Sequence, residues 1–324
     1  MEIVFLGTGG SVPTRYRNTS STAVRVGSEI ILFDCGEGTQ RQMMSSTVSY
    51  MKITRIFVTH LHGDHFLGLP GLIQSMNFAG RLDPLSIYGP EGTAALVDSI
   101  LHLGYFQPSF QVSGHDVEDY DIVRGKGYSV KAVRTDHTIP SFGFVLMEDG
   151  RPGRFNKERA IELGVPEGPL YSRLQSGSSV TVKGTRITPE MVMGDPRPGL
   201  QIAFSGDTRP SEHFMGSILG CDLLVHEATA DVSLQEKASE YGHSTAREAA
   251  IVASLAGIKT LYLNHFSGRY EDVNLLLEEA RDIFPNTYAS EDLMTVQVNY
   301  DGTVISKKFQ DVRAGNDPDD RALS

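Results

Sequence analysis

Short apolar runs rich in β-branched residues recur along the whole chain, each closed by a turn signal: EIVFLG, STAVRVG, IILFD, RIFVT, LSIYG, YSVKAVR, SFGFVLM, QIAFSG, DLLVHE, TLYLNH and MTVQVNYDGTVIS. Runs of this length suit strands that are buried on at least one face. Helical patterns lie between many of them. GTAALVDSILHLGY is one, and VNLLLEEARDIF, stopped by Pro285, is another. HSTAREAAIVASLAGIK carries the clearest signals: Thr245 and Glu248 fit a capping box, and Gly257 suits a left-handed stop. Strands and helices alternate without a fixed-period repeat, so a layered α/β or α+β fold is expected.

Composition narrows the setting. The 324 residues are 40% apolar and 21% charged, as in ordinary globular proteins, and no apolar run approaches the ~20 residues that span a bilayer. The opening MEIVFLGTGG reads as a first strand rather than a signal peptide. Two cysteines, Cys35 and Cys221, exclude a disulfide framework and point to a reducing cytoplasm. The net charge of −11 argues against a generally basic nucleic-acid-binding surface. Residues 151–186 reverse it locally: seven Arg or Lys stand against three Glu, a net +4. That region belongs to a Gly- and Pro-rich excursion, about 149–197, with a short helix expected at Asn156–Leu163. The last segment, QDVRAGNDPDDRALS, has the composition of a disordered tail.

The chemistry is concentrated in HLHGDH, directly after the strand RIFVT. Imidazole nitrogens and carboxylate oxygens are ligands of first-row metals, zinc foremost, with manganese and iron as other fits. Four such groups in six residues cannot all reach one tetrahedral ion, so two adjacent ions are expected. His60 and His62 serve one, Asp64 and His65 the other. His137, Asp207 and His265 also follow strand-like runs, so all can meet at one edge. Asp207 is the natural bridge, with His137 completing the first ion and His265 the second. His226 and Glu227 end another strand. They are either a satisfied polar pair behind the ligands or part of the reaction. His243, before a helix start, can donate a proton if Glu227 supports it.

Taken together the motifs resemble a known family. HLHGDH is the signature of the metallo-β-lactamase superfamily. FLGTGGSVPT, LFDCGEGTQRQM, HEAT, GHST and NHFSGRY are similar to the short form of the tRNA 3′-processing endoribonucleases, the RNase Z family. The resemblance covers about residues 1–297 and implies a four-layer αββα sandwich with a protruding arm. Residues 298–324 would add a C-terminal strand and a tail. It implies a zinc-dependent hydrolase with two Zn²⁺ per subunit. Precursor tRNA would be the partner, cleavage would leave a 3′-hydroxyl on the tRNA and a 5′-phosphate on the trailer, and the enzyme would be a cytoplasmic homodimer without a membrane partner. Asp64, Glu227 and His243 would be catalytic. GVPEGPLYSRLQSG matches the family's tRNA-gripping arm motif, which implies RNA contacts at Arg154, Gly168, Pro169 and Arg173. PTRYRN matches a loop that inspects the tRNA 3′ end, with Arg15 where lysine is usual and Arg17 retained. Arg269 is either a phosphate contact or a solvated surface residue. The alternatives are a phosphodiesterase or thioesterase acting on a small molecule, and a tRNA-binding protein without activity. The latter would be marked by a missing ligand, and none is missing.

Overall fold

The computed structural model describes residues 1–308, and the polar tail expected beyond 310 lies outside them. The chain divides into two compact units, Glu148–Gly199 and the remainder.

The larger unit is built on two sheets. In one, eight strands run in the order Val304–Lys307, Thr295–Val298, Glu2–Gly7, Ser21–Val26, Glu29–Phe33, Ile53–Phe57, Leu85–Gly89 and Val112–Asp116. In the other, seven run Thr287–Ala289, Thr260–Asn264, Leu223–Glu227, Gln201–Phe204, Phe142–Glu148, Tyr128–Arg134 and Ile122–Arg124. Ile3, Phe5, Phe33 and Phe57 from the first sheet pack with Phe144, Phe204, Val225 and Tyr262 from the second in one buried core. The Phe33 and Phe204 rings stack with centroids 4.0 Å apart. Both sheets are therefore buried on their inner faces.

The outer faces are covered by helices. Leu69–Phe78 and Thr93–Leu101 bury Leu72, Ile73, Met76 and Val97 against Leu32, Ile56 and Ile87. Ala246–Leu255 and Asn274–Arg281 bury Ala249, Ala250, Ala253 and Leu276 against Leu224, Leu261 and Leu263. The expected αββα layering is what forms, with strands buried on both faces reading as continuous apolar runs. The helix at Ala246 starts on both bonds of its capping box: Thr245 accepts from the Glu248 N–H, and Glu248 accepts from the Thr245 N–H.

The smaller unit has a core of its own, made by Ala160, Val165, Leu174, Val180, Ile187 and Val192. The helix expected near Asn156 runs Lys157–Glu162, with the Asn156 side chain capping the Arg159 N–H. A second helix, Pro169–Gln175, forms in a stretch whose sequence has only loop texture. Its proline sits in the first turn, where a missing N–H costs nothing, after Gly168 at φ 130°. A loop composition thus concealed a helix start. A hairpin of Val180–Val182 and Thr185–Ile187 completes the unit.

Candidate active site

Parallel pairing sets the site in place. Ile53–Phe57 runs parallel to Glu29–Phe33, with Phe57 beside Phe33, so Asp34 and Thr59 emerge side by side. In the opposite sheet Gln201–Phe204, Leu223–Glu227 and Thr260–Asn264 are parallel neighbours, so Asp207, Glu227 and His265 leave from one edge. The loop after Phe57 bridges the two sheets: Phe142 donates its N–H to the Thr59 carbonyl, and His60 pairs with Ser141.

Seven candidate ligands converge there. His62 Nδ1 lies 3.0 Å from His60 Nε2 and 3.2 Å from His137 Nε2. Asp207 Oδ2 lies 3.6 Å from His60 Nε2, 3.4 Å from His65 Nε2 and 3.3 Å from His265 Nε2. Asp64 Oδ2 lies 3.5 Å from His65 Nε2 and 3.4 Å from His265 Nε2. The ligand atoms of His60, His62 and His137 lie within 4.8 Å of one another, as do those of Asp64, His65 and His265. Asp207 stands between the two groups.

The backs of the rings decide what the front atoms can do. His65 Nδ1 donates to Asp34 Oδ2 at 2.8 Å, and His137 Nδ1 to the Gly242 carbonyl at 2.7 Å. Thr59 lies 3.0 Å from His60 Nδ1 and 3.1 Å from Asp34, so its hydroxyl donates to the carboxylate and accepts from the ring. Thr229 does the same between Glu227 Oε2, at 2.8 Å, and His265 Nδ1, at 3.1 Å. Each of these four imidazoles thus carries a proton behind and turns its Nε2 inward, where a bound cation would take up the lone pair. His60 Nε2 and His137 Nε2 both face His62 Nδ1, at 3.0 and 3.2 Å, and a cation among the three would satisfy all of them. Among the described residues, His65 Nε2 and Asp207 Oδ1 are buried side-chain atoms without a hydrogen-bond partner. Histidines oriented from behind by carboxylate, hydroxyl and carbonyl are the usual support of metal ligands. The donor set fits metal binding.

Glycine clears the approach at two points. A Cβ on Gly10 would stand 2.5 Å from the His265 ring. Gly242, at φ 78°, would bring one 2.6 Å from His137 Nδ1.

Electrostatics follow the same geometry. Burial, followed by the neighbouring histidines, holds the His60 pKa well below its ordinary value. Burial opposes charge on His65, but Asp207 and Asp34 outweigh it and raise its pKa well above the usual range. Burial works against ionisation of Asp207 and Asp64 too, yet the surrounding histidines keep both well below the carboxylate range.

Beside the cluster, Glu227 is fully engaged. Its Oε1 accepts from the Thr208 N–H at 2.7 Å and from His243 Nδ1 at 3.0 Å. Burial disfavours charge on His243, but Glu227 overrides it and lifts its pKa to about 9. The contacts of His243 to Glu227 and Thr229 are made by Nδ1, which leaves Nε2 as the outward end of the pair among the described residues. His226 is buried on the same strand and donates Nδ1 to the Glu227 carbonyl.

The expected RNA contacts divide. Arg269 and Arg15 are exposed. Arg17 is committed inside the fold: it donates to Thr8 and to the Ser290 carbonyl and stacks over Phe266 at 4.5 Å. Arg154, Gly168, Pro169 and Arg173 are exposed residues of the smaller unit. Sequence reading gave no role to Asp34, Thr59 or Thr229. Asp34 stands in LFDCGEGTQ and adopts φ 58°, uncommon for a non-glycine, but nothing local shows that it faces His65.

Comparison with known proteins agrees with this geometry. A family model described as anti-Pycsar protein Apyc1 matches residues 1–151. A ribonuclease Z of Methanosarcina acetivorans is 48% identical over 301 residues, covering 93% of this chain and 99% of its own. The chain belongs to the ribonuclease Z family. The crystal structure of human tRNase Z, short form, is similar with a TM-score of 0.68 and 30% identity, over 92% of this chain and 100% of that one. The metallo-β-lactamase fold protein YhfI of Bacillus subtilis, 17% identical, shares the fold with a TM-score of 0.64 over 94% of this chain and 99% of that one. Membership of the ribonuclease Z family makes the chain a hydrolytic endoribonuclease on a metallo-β-lactamase scaffold. Among the described residues no helix is long and apolar enough to cross a membrane.

Proposed function

We propose that this protein removes the 3′ trailer from tRNA precursors with two zinc ions, leaving a 3′-hydroxyl on the tRNA and a 5′-phosphate on the trailer. The observation that carries the reading is the inward turn of the His60, His65 and His265 Nε2 atoms around a shared, buried Asp207, with His62 and His137 beside His60, in a chain 48% identical to a ribonuclease Z. His60, His62, His137 and Asp207 would hold one ion, and Asp64, His65, His265 and Asp207 the other. Bound there, the ions would supply Lewis acidity toward a phosphodiester and bring the pKa of a water down to about 7.

The chain's own groups do the remaining work. Asp64, steadied by the Ser11 N–H at 2.7 Å, orients the attacking water and takes up its proton. His243 donates from Nε2 to the departing 3′ oxygen. Glu227 holds its Nδ1 proton and keeps the ring charged. The basic smaller unit grips tRNA through Arg154, Arg173 and the turn at Gly168 and Pro169, and Arg15 and Arg269 meet RNA at the catalytic unit. The protein works in the cytoplasm as a homodimer. Sedimentation would measure the pairing.

Deleting 152–190 tests the substrate. Cleavage of a 3′-extended tRNA should be lost while bis-p-nitrophenyl phosphate is still hydrolysed. Equal loss of both would refute a clamping role, and hydrolysis of the small diester without any cleavage of precursor by the whole protein would favour a small-molecule phosphodiesterase.

A further inference from the structure

A cleft of about 350 Å³ opens beside His243 and takes in Leu234, Lys237, Tyr241, Ser267 and Arg269. Its size lies in the range of small-ligand sites, ~300–1,000 Å³. Two properties set it apart. Among the described residues no carboxylate lines it, and two exposed cations do, in a chain of net charge −11. Its wall is also rigidly tied to the proton donor. Tyr241 follows the helix Gln235–Glu240 and donates its N–H to the Lys237 carbonyl. Gly242 then reverses the chain at φ 78°, and the His243 N–H returns to the Ala238 carbonyl. Lys237, Tyr241 and His243 thus belong to one turn, and Tyr241 is 56% exposed.

We infer that this cleft seats the nucleoside whose 3′ oxygen departs, with the Tyr241 ring as a stacking platform for its base and Lys237 and Arg269 meeting the adjoining phosphates. The inference rests on the proposed RNA-processing reading. It follows from His243: the group that protonates the 3′ oxygen must lie within a hydrogen bond of the ribose bearing it. The base of that nucleoside then falls in the cleft which His243 borders. An aromatic face with two cations lining the same cleft suits a nucleotide of any base, because every base has a π-face. Tyr241 is a positioning residue here.

A cycle between protein and substrate tests it. Tyr241→Ala should lower single-turnover cleavage of an intact precursor about tenfold, near the low end of base–aromatic stacking. An abasic site at the last tRNA position should cost the unmodified protein about the same factor, and should cost Tyr241→Ala nothing further. An abasic site at the first trailer position should slow both proteins equally. Tyr241→Phe should stay within about twofold of the unmodified protein, since the ring is kept. Thermal melting checks that each variant is folded. The proposal is overturned if Tyr241→Ala keeps full sensitivity to the abasic site in the tRNA, or loses sensitivity to the one in the trailer instead. If the unmodified protein hydrolyses bis-p-nitrophenyl phosphate but cuts no precursor, the RNA-processing reading falls and takes this proposal with it. If it cuts the precursor without the coupling, the cleft assignment alone falls.

Discussion

Asp34→Asn separates metal binding from folding at a residue that would touch neither ion. Asp34 is buried, and its Oδ1 accepts from the Thr59 N–H at 2.7 Å. Its Oδ2 accepts from His65 Nδ1 at 2.8 Å. An asparagine can offer an oxygen on one side only. The backbone N–H of Thr59 can only donate, so the amide oxygen stays there and the NH₂ turns to His65. His65 must then accept at Nδ1 and carry its proton on Nε2, the atom that faces Asp64 and Asp207. That tautomer cannot ligate. Asparagine tolerates the left-handed backbone at this position, φ 58°, so the chain path is kept. Losing such support typically costs 10–100-fold in metal affinity. Because the hydrogen bonds are re-paired rather than lost, stability should fall by no more than ~1 kcal/mol. Asp34→Ala would leave three buried donors, the Thr59 N–H, the Thr59 hydroxyl and His65 Nδ1–H, without their acceptor at ~1–3 kcal/mol each and should melt well below it. The assay is metal per chain at fixed free zinc, read beside the melting temperature and precursor cleavage. Asp34→Asn with unmodified metal affinity would refute the argument that Asp34 fixes the tautomer of His65.

Three further outcomes are expected. His243→Ala should retain both metals and lose roughly 10²–10⁴-fold in turnover, the usual worth of a general acid; a parallel fall in metal content would make His243 a ligand. His62→Ala should lose metal and activity together, because His62 Nδ1 faces both His60 and His137. Glu227→Gln removes the carboxylate that lifts His243 to about 9, so the alkaline limb of the pH–rate profile should move to lower pH. In metal-free protein, the folding contribution of that pairing is complete below ~6.5 and lost as pH rises through about 9. Glu227→Gln should flatten that slope in a melting series.

The seven side chains that converge at the site were legible in the sequence because metal chemistry is local in its side chains and the strand pattern is local in its spacing. HLHGDH declares itself within six residues, and His137, Asp207 and His265 each follow a readable strand. What supports the ligands was not legible. Asp34 faces His65 only because two strands pair in parallel with Phe33 beside Phe57. Thr229 serves His265 across 36 residues. Arg17 carries the pattern of an RNA contact, yet Thr8, Ser290 and Phe266 engage it once the sheets assemble. The second helix of the smaller unit was hidden because glycine and proline mark loops and also helix starts, and only packing of Leu174 into a local core distinguishes them.

The most direct measurement is metal content and precursor cleavage on the same sample, before and after chelation. Two ions per chain, loss of cleavage as they are withdrawn, and recovery as zinc is returned are the outcomes expected from the converging lone pairs. Undiminished cleavage by chelated, metal-free protein would contradict the account.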